Sequence, residues 1–309
     1  MNTFDMHFHS QLSDGKSTTE EILDRAKELW LDMLTLTDHD RISTDDFRLW
    51  ANERGMKSYA STEISTRNYD EWKSLHLTCY AQSFWDELYK ILNNTISWKE
   101  EMLSTQIDVF IEKWFMIEKQ AFYDYHKSNW KNSDTLNKFN VAQFMYEEKF
   151  NKMKVTEIMW QEVGVEEFYL AFLKEWGEFY EEYHKQIPDY EPSVESIWKL
   201  AQQDSAILSI AHPNFSFSRD HISGFKEKLP YYLDRWVNAI EINSKASKKW
   251  IEAIYHLKNK YNLLLTLWSD NHGIWSTDRK HEDFGKTNEL LSIENKEQIW
   301  RKIVEYLDY

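Results

Sequence analysis

The chain has 309 residues with 52 acids against 37 bases, a formal net charge of −15. That balance argues against wrapping long nucleic acids, which requires dense Lys and Arg to displace counterions, and no apolar run approaches the roughly 18 residues of a membrane span. One cysteine, Cys79, excludes an internal disulfide framework. With no basic-then-apolar leader in MNTFDMHFHS, the expectation is a soluble cytoplasmic protein of one large or two small domains.

In TFDMHFH, Asp5, His7 and His9 fall on one face of a predicted strand and Phe4, Met6 and Phe8 on the other. STTEEILDRAKEL reads as a helix with Thr18 and Glu21 spaced as a capping box. DMLTLTDHD is the second strand, and TDDFRLWANERG a helix closing on Gly55 as its C′ residue. MKSYASTEIS and SLHLTCYA follow as strands three and four, and the alternation predicts a largely parallel sheet or barrel. From about Ser83 the strand patterns stop. WKEEMLSTQIDVFIEKWFMIEKQAFYDYH and VGVEEFYLAFLKEWGEFYEEYHK carry amphipathic helical patterns, so residues 83–192 are expected to form a helical insertion or cap between barrel segments 1–82 and 193–309. Aromatic residues at helical spacing there read as the core of the cap rather than as base-stacking platforms. Past Pro192 and the helix it precedes, AILSIAHP, AIEINS and NLLLTLWSD return as strands, with KASKKWIEAIYHLKNKY and NKEQIWRKIVEYLDY as helices.

Six of the eleven histidines sit at predicted strand ends. They are His7, His9, His39, His76, His212 and His272, and the acids Asp14, Glu63 and Asp270 accompany them. In a βα barrel the loops at the C-terminal strand ends converge on one mouth. Nine imidazoles and carboxylates sent there should bind more than one metal, and this donor mixture suits Zn, Mn or Fe(II) better than Mg or Ca. Taken singly, each motif is weak; SDNH, for example, also reads as an Asx-turn. His126, His184, His256 and His281 fall in helical or loop patterns and are not expected to be ligands.

As an ordered series, DMHFHSQLSDG, LTLTDHD, STEIST, HLTCY, AHP, IEINS and SDNHG resemble the motifs of the PHP (polymerase and histidinol phosphatase) superfamily. The resemblance is strongest to its nucleoside 3′,5′-bisphosphate phosphatase and 5′–3′ exoribonuclease type, and covers residues 3–80 and 193–290. It implies an α/β fold, a distorted (β/α)7 barrel with a large helical insertion, and three divalent metal ions (Mn2+, Zn2+ or Fe2+). Carried over residue by residue, His7, His9, Glu63 and Asp270 would hold the first metal. Glu63, bridging, would hold the second with His76 and His212, and Asp14, His39 and His272 would hold the third. Glu63, His39 and Asp38 are the residues expected to carry catalysis, with Asp38 and Asp40 orienting imidazoles. The implied reaction is phosphoester hydrolysis by a metal-bridging hydroxide on a small nucleotide or short RNA end. A histidinol-phosphate phosphatase, or a catalytically silent metal- or nucleotide-binding module, are the alternatives. Arg219, Arg67 and His221 are the best-placed phosphate ligands near the mouth, with Lys245 a further basic residue there.

Two counts are abnormal. Glycine is 7 of 309, about 2%, and tryptophan 15, about 5%; together they make 22, close to the usual glycine share of about 7%. Trp30 falls at a helix C′ position that favours glycine, and in the PHP resemblance both Trp30 and Trp268 stand where glycine is typical. Translation of a UGA codon as tryptophan, in a lineage that reads it as glycine, accounts for both. If made as written, the Trp268 indole is expected to crowd the metal motif beside it.

Overall fold

The computed structural model describes residues 3–308 other than 72, 130, 175–176, 188–189, 218–220, 236 and 275–282. Its strands fall one in each of the seven predicted segments. They are β1 (Phe4–Asp5), β2 (Met33–Leu34), β3 (Ala60–Asn68), β4 (Lys73–Ala81), β5 (Ile207–Ile210), β6 (Ala239–Asn243) and β7 (Leu264–Trp268). β1 pairs with β2 in parallel, and β3 to β7 form one sheet in chain order. Backbone bonds carry the pairing round between these sheets. The Met6 N–H donates to the Leu267 carbonyl at 3.1 Å and the Leu34 N–H to Lys57 at 3.0 Å, while Phe8 bridges to Asn271 and His39 to Glu63. This is the distorted seven-stranded α/β barrel. It departs from the expected parallel order at β4, which runs antiparallel to both β3 and β5. Only four residues separate β3 from β4, too few for the crossover that parallel strands need.

Between strands, α1 (Thr19–Glu28) starts on the Thr18–Glu21 capping box and α2 (Asp45–Glu53) is followed by Gly55 at φ 82°. After β4 come α3 (Asp86–Glu112), α4 (Lys119–Ser128), α5 (Lys138–Glu147), α6 (Lys149–Met159), α7 (Val165–Phe168) and α8 (Tyr180–Gln186). The barrel resumes with α9 (Val194–Gln203), α10 (Pro213–Ser216), α11 (His221–Leu233), α12 (Lys248–Tyr261) and α13 (Ile293–Leu307). Two compact units result, residues 1–93 with 191–309, and residues 94–190. The first division lies about three turns beyond the expected 82/83. Leu88 and Leu92, at the start of α3, pack in the barrel's own apolar core. The second unit has a separate core, built on Phe110, Phe115, Phe168, Phe172 and Phe179. Its two long helical patterns are each broken, at Trp114 and after Leu173.

Alternation on the barrel strands separates two environments. Ile64, Leu77 and Cys79 face the apolar layer beneath the helices. Glu63, Ser65, His76, Thr78 and Tyr80, on the opposite face of β3 and β4, line a buried polar interior. Tyr80 spans that interior, its hydroxyl donating to the Met6 carbonyl at 2.9 Å. That carbonyl also accepts from Thr35 Oγ1 at 2.9 Å. Tyr80→Phe therefore leaves no acceptor orphaned, and should lower unfolding free energy by about 1 kcal/mol with an unchanged m-value in urea denaturation; no change would show that this tie does not hold β1 to β4.

Candidate metal centre

The predicted ligands reach the polar interior from several strands and strand ends. His7 and His9 follow β1, Asp14 lies in the loop to α1, and His39 ends the segment after β2 beside Glu63 of β3. His76 lies on β4, opposite Ser65 of β3. Asp270 and His272 follow β7, and His212 follows β5 in a left-handed conformation, φ 35°.

Glu63, 1% exposed, is the hub. Its Oε2 lies 3.1 Å from His7 Nε2, 3.3 Å from His9 Nε2 and 3.1 Å from His39 Nδ1. Its Oε1 lies 3.0 Å from His76 Nδ1 and 2.9 Å from His212 Nε2. Asp270 Oδ1 stands 3.2 Å from His9 Nε2 and 3.6 Å from His7 Nε2. Asp14 stands 3.3 Å from His272 Nε2, 3.7 Å from His39 Nε2 and 3.8 Å from His9 Nδ1. All nine residues that the resemblance implied as ligands are thus brought together.

The donor atoms fit divalent metal. Ligands at about 2.0–2.2 Å from one ion sit roughly 3–3.5 Å apart, which is the spacing found around Glu63. Glu63 Oε2, His39 Nδ1 and Asp14 Oδ1 are buried without a hydrogen-bond partner, a cost that a cation relieves. Among the described residues three ligand groups form: His9 with Asp14, His39 and His272; His7 with His9 and Glu63; His39 with Glu63 and His76. His9 and His39 each fall within two groups, where the resemblance gave each to one metal.

The electrostatics suit the same species. Burial works to raise the Glu63 carboxyl, and the His39, His7 and His76 imidazoles with the His212 hydrogen bond outweigh it, holding it well below the usual range. Asp14 is held low in the same way, by His39 and His272 against burial. Burial pushes His39 down to about 3, against the pull of Glu63 and Asp14, so its ring is a neutral donor. Burial works to lower His9, but the nearby Asp270, Glu63 and Asp14 carboxylates outweigh it and raise it to about 10. Positive charge is favoured where His9 meets these carboxylates, and a divalent ion supplies it while leaving the imidazole neutral.

The acids behind the ligands differ from expectation. Asp38 does not face an imidazole. Its carboxylate accepts from Ser10 N at 2.8 Å, Ser10 Oγ at 2.7 Å and Ser13 Oγ at 2.6 Å, clamping the loop that carries Asp14. Asp40 likewise accepts from Ser65 N at 2.8 Å and Ser65 Oγ at 3.0 Å; its left-handed backbone, φ 53°, turns the carboxylate toward β3. The acid that does orient an imidazole is Glu241 on β6, whose Oε1 lies 3.1 Å from His7 Nδ1. Sequence reasoning gave Glu241 no role, although a lone acid between two isoleucines of a buried strand is a usable signal.

Arg67, expected at the mouth, is buried and its Nε donates to Glu191 at 2.9 Å. Arg219 and His281 lie outside the described residues, and of His221 only the backbone is described, as the first residue of α11. His126, His184 and His256 join none of the metal-ligand groups found among the described residues. The Trp268 indole is fully buried, stacked 4.8 Å from the His7 ring and 5.7 Å from His212, with its Nε1 unpartnered. It therefore packs against the rings of two of the implied ligands.

The PHP domain family matches residues 5–187. Among curated proteins, a 5′-3′ exoribonuclease of Haemophilus influenzae is 36% identical over 75 residues, which are 24% of this chain and 27% of that protein. A phosphoribosyl 1,2-cyclic phosphate 1,2-diphosphodiesterase of Eggerthella lenta is 28% identical over 74 residues, 24% of this chain and 28% of that protein. The matched segments thus span little more than a quarter of either relative. A solved structure from Bifidobacterium adolescentis ATCC 15703, provisionally described as a metal-dependent phosphoesterase, superposes with TM-score 0.70 at 17% identity, covering 99% of this chain and 96% of that one. Among the described residues, no helix is long and apolar enough to cross a membrane.

Asp38 acts on the ligands only through Ser10 and Ser13. Asp38→Asn keeps the shape but loses the charge that both serines donate to, and should weaken metal binding at the group containing Asp14 about 10- to 100-fold in a metal titration. An unchanged isotherm would limit the clamp to a folding role.

Proposed function

The chain belongs to the PHP domain family, and from that premise we propose that it is a metal-dependent phosphoesterase acting on a phosphomonoester or phosphodiester of a small nucleotide or short RNA end. The observation that carries this reading is the division of Glu63. One oxygen faces His7, His9 and His39 and the other faces His76 and His212, the arrangement of a carboxylate shared between neighbouring ions. The two curated relatives are named for phosphodiester substrates built on ribose, which supports the substrate class.

Bound divalent metals, Mn2+, Zn2+ or Fe2+ on this donor set, would supply an activated water and neutralise phosphate oxygens. The residues would do the rest. His7, His9, Glu63 and Asp270 would define one position, Glu63, His76 and His212 a second, and Asp14, His39 and His272 a third. Three ligand carboxylates against three divalent ions would leave the innermost ligand shell net positive. That charge would draw a phosphate into a protein whose overall charge is −15, and would repel long polyanions less than the surrounding surface does. His39 presents one ring nitrogen to the Asp14 side and the other to the Glu63 side.

Glu63→Gln keeps the volume and removes the shared charge. It should lower turnover by at least about a thousandfold, in line with losing a group that positions reacting atoms, and should lower metal stoichiometry alongside. The assay is a panel of adenosine 3′,5′-bisphosphate, a short 5′-phosphorylated RNA and histidinol phosphate with Mn2+ added. Release of 3′-phosphate or of nucleotides from the RNA supports the proposal. Turnover of histidinol phosphate alone shifts the substrate class, and no turnover with metals bound would make the chain a binding module.

A further inference from the structure

We infer that Glu241 is a positioning residue that links two metal positions, by holding a ligand of each from behind; this rests on the multinuclear reading above. Glu241 is fully buried and draws its partners from three different strand segments. His7 Nδ1 lies 3.1 Å from Oε1, the Thr78 hydroxyl donates to the same oxygen at 2.7 Å, and the His212 N–H donates to Oε2 at 2.9 Å. On the other side of these two histidines, His7 Nε2 and His212 Nε2 lie 3.1 and 2.9 Å from the two oxygens of Glu63. Each histidine is therefore held between the same two carboxylates. Glu241 takes the Nδ1–H of His7, which leaves Nε2 as the free lone pair for metal. It also satisfies the N–H of His212, whose backbone sits at φ 35°, ψ 57°, a region a non-glycine residue keeps only when its surroundings over-determine it. Releasing one histidine relaxes the carboxylate that fixes the other.

Glu241→Gln tests this, because an amide presents one acceptor and one donor where His7, Thr78 and His212 all donate. Metal stoichiometry and affinity, read by titration and elemental analysis, should show two positions weakened together by about 10- to 100-fold, with the position of Asp14, His39 and His272 retained. Thr78→Val, which leaves Glu241 in place, should shift the same two in the same direction by less, and serves if the first variant does not fold. Weakening of one position alone, or of neither, overturns the link while leaving the enzyme proposal intact. A wild-type protein that binds fewer than two ions overturns both.

A separate observation concerns the tryptophans. We propose that Trp30, Trp114 and Trp160 are glycine in the natural protein. All three are left-handed, at φ 56°, 64° and 56°, where a bulky residue is a genuine outlier. Each follows a helix. The Trp30 and Leu31 N–H groups donate back to Lys27 and Ala26, and those of Trp114 and Phe115 to Ile111 and Phe110. Gly55 and Met56 close α2 with the same bonds, to Asn52 and Ala51, the helix ending that glycine favours. The indoles recover nothing for the strain, being 85%, 81% and 94% exposed. Trp268 has no positive φ, so its backbone gives it no place in this proposal.

UGA codons at these three positions, and glycine in the corresponding peptides of the natural protein by mass spectrometry, are expected. UGG codons or tryptophan-containing peptides overturn the proposal. Independently, Trp30→Gly, Trp114→Gly and Trp160→Gly should each raise the folding equilibrium constant by roughly 5- to 30-fold; a lowered constant would show that the strain is absent.

Discussion

A buried carboxylate surrounded by imidazoles governs this molecule. Glu63 is almost wholly out of water, and an unpaired charge there would cost several kcal/mol. Its environment is therefore made of groups able to share charge, five imidazoles within 3.3 Å divided between its two oxygens. Five side chains from four chain segments meet one residue only if the strands carrying them form a ring, which makes the barrel and the centre one requirement. The antiparallel turn of β4 is part of it. It sets Ser65 opposite His76 and Glu63 opposite Thr78 on the interior face, so a single hairpin delivers both the hub and one of its imidazoles.

Behind the ligands one device recurs. Asp5, Asp38, Asp40 and Glu241 are buried acids, each accepting a hydroxyl and a backbone N–H. Asp5 takes Ser269 Oγ at 2.6 Å and Ser269 N at 3.1 Å, beside Asp270. Asp38 holds Ser10 and Ser13, beside His9 and Asp14; Asp40 holds Ser65; Glu241 holds Thr78 and the His212 amide. Ser and Thr are small enough to sit between a carboxylate and the backbone, and of the four acids Glu241 alone also takes an imidazole nitrogen, Nδ1 of His7. This explains why the interior of the barrel is rich in hydroxyls rather than aliphatic side chains, and why the ligand nitrogens are left facing one another.

The sequence made the strands, the Thr18–Glu21 cap and the nine candidate ligands legible, because each rests on local periodicity or on residue type at a strand end. It was silent where the answer depended on what lies across the barrel. Asp38 and Asp40 flank His39 in TDHD, yet the chain turns between them and sends both carboxylates to serines. Glu241 stands out on β6 as a lone acid, but its partners could not be read from that strand, since both faces are buried and alternation loses its meaning. Arg67 shares its strand face with Glu63, and its pairing with Glu191, distant in sequence, only appears on folding. The predicted helix over 98–126 ran through a real break because its stop signal was hidden. A glycine at 114 would mark the end of α3; the tryptophan there reads as one more aromatic residue of the apolar face.

Left-handed residues separate strain that the site uses from strain it does not. Asp40, His212 and Asp270 lie in the metal centre, and each has its backbone N–H fixed by a neighbour in that centre: Asp40 by the Glu63 carbonyl at 2.7 Å, His212 by Glu241, and Asp270 by the His7 carbonyl at 2.9 Å. Asp is a residue type that tolerates this region, and His is several-fold enriched in it. Their strain is held in place by the ligands it helps to aim, as expected for a functional site. Trp30, Trp114 and Trp160 have the same backbone conformation with no such return, since their side chains stand in solvent at helix ends. Ser205 and Asn262, at φ 50° and 53°, also end helices in this conformation, but with small side chains, whereas for an indole it is a genuine outlier. The difference between the two groups therefore lies in the side chain assigned to those three positions rather than in the fold.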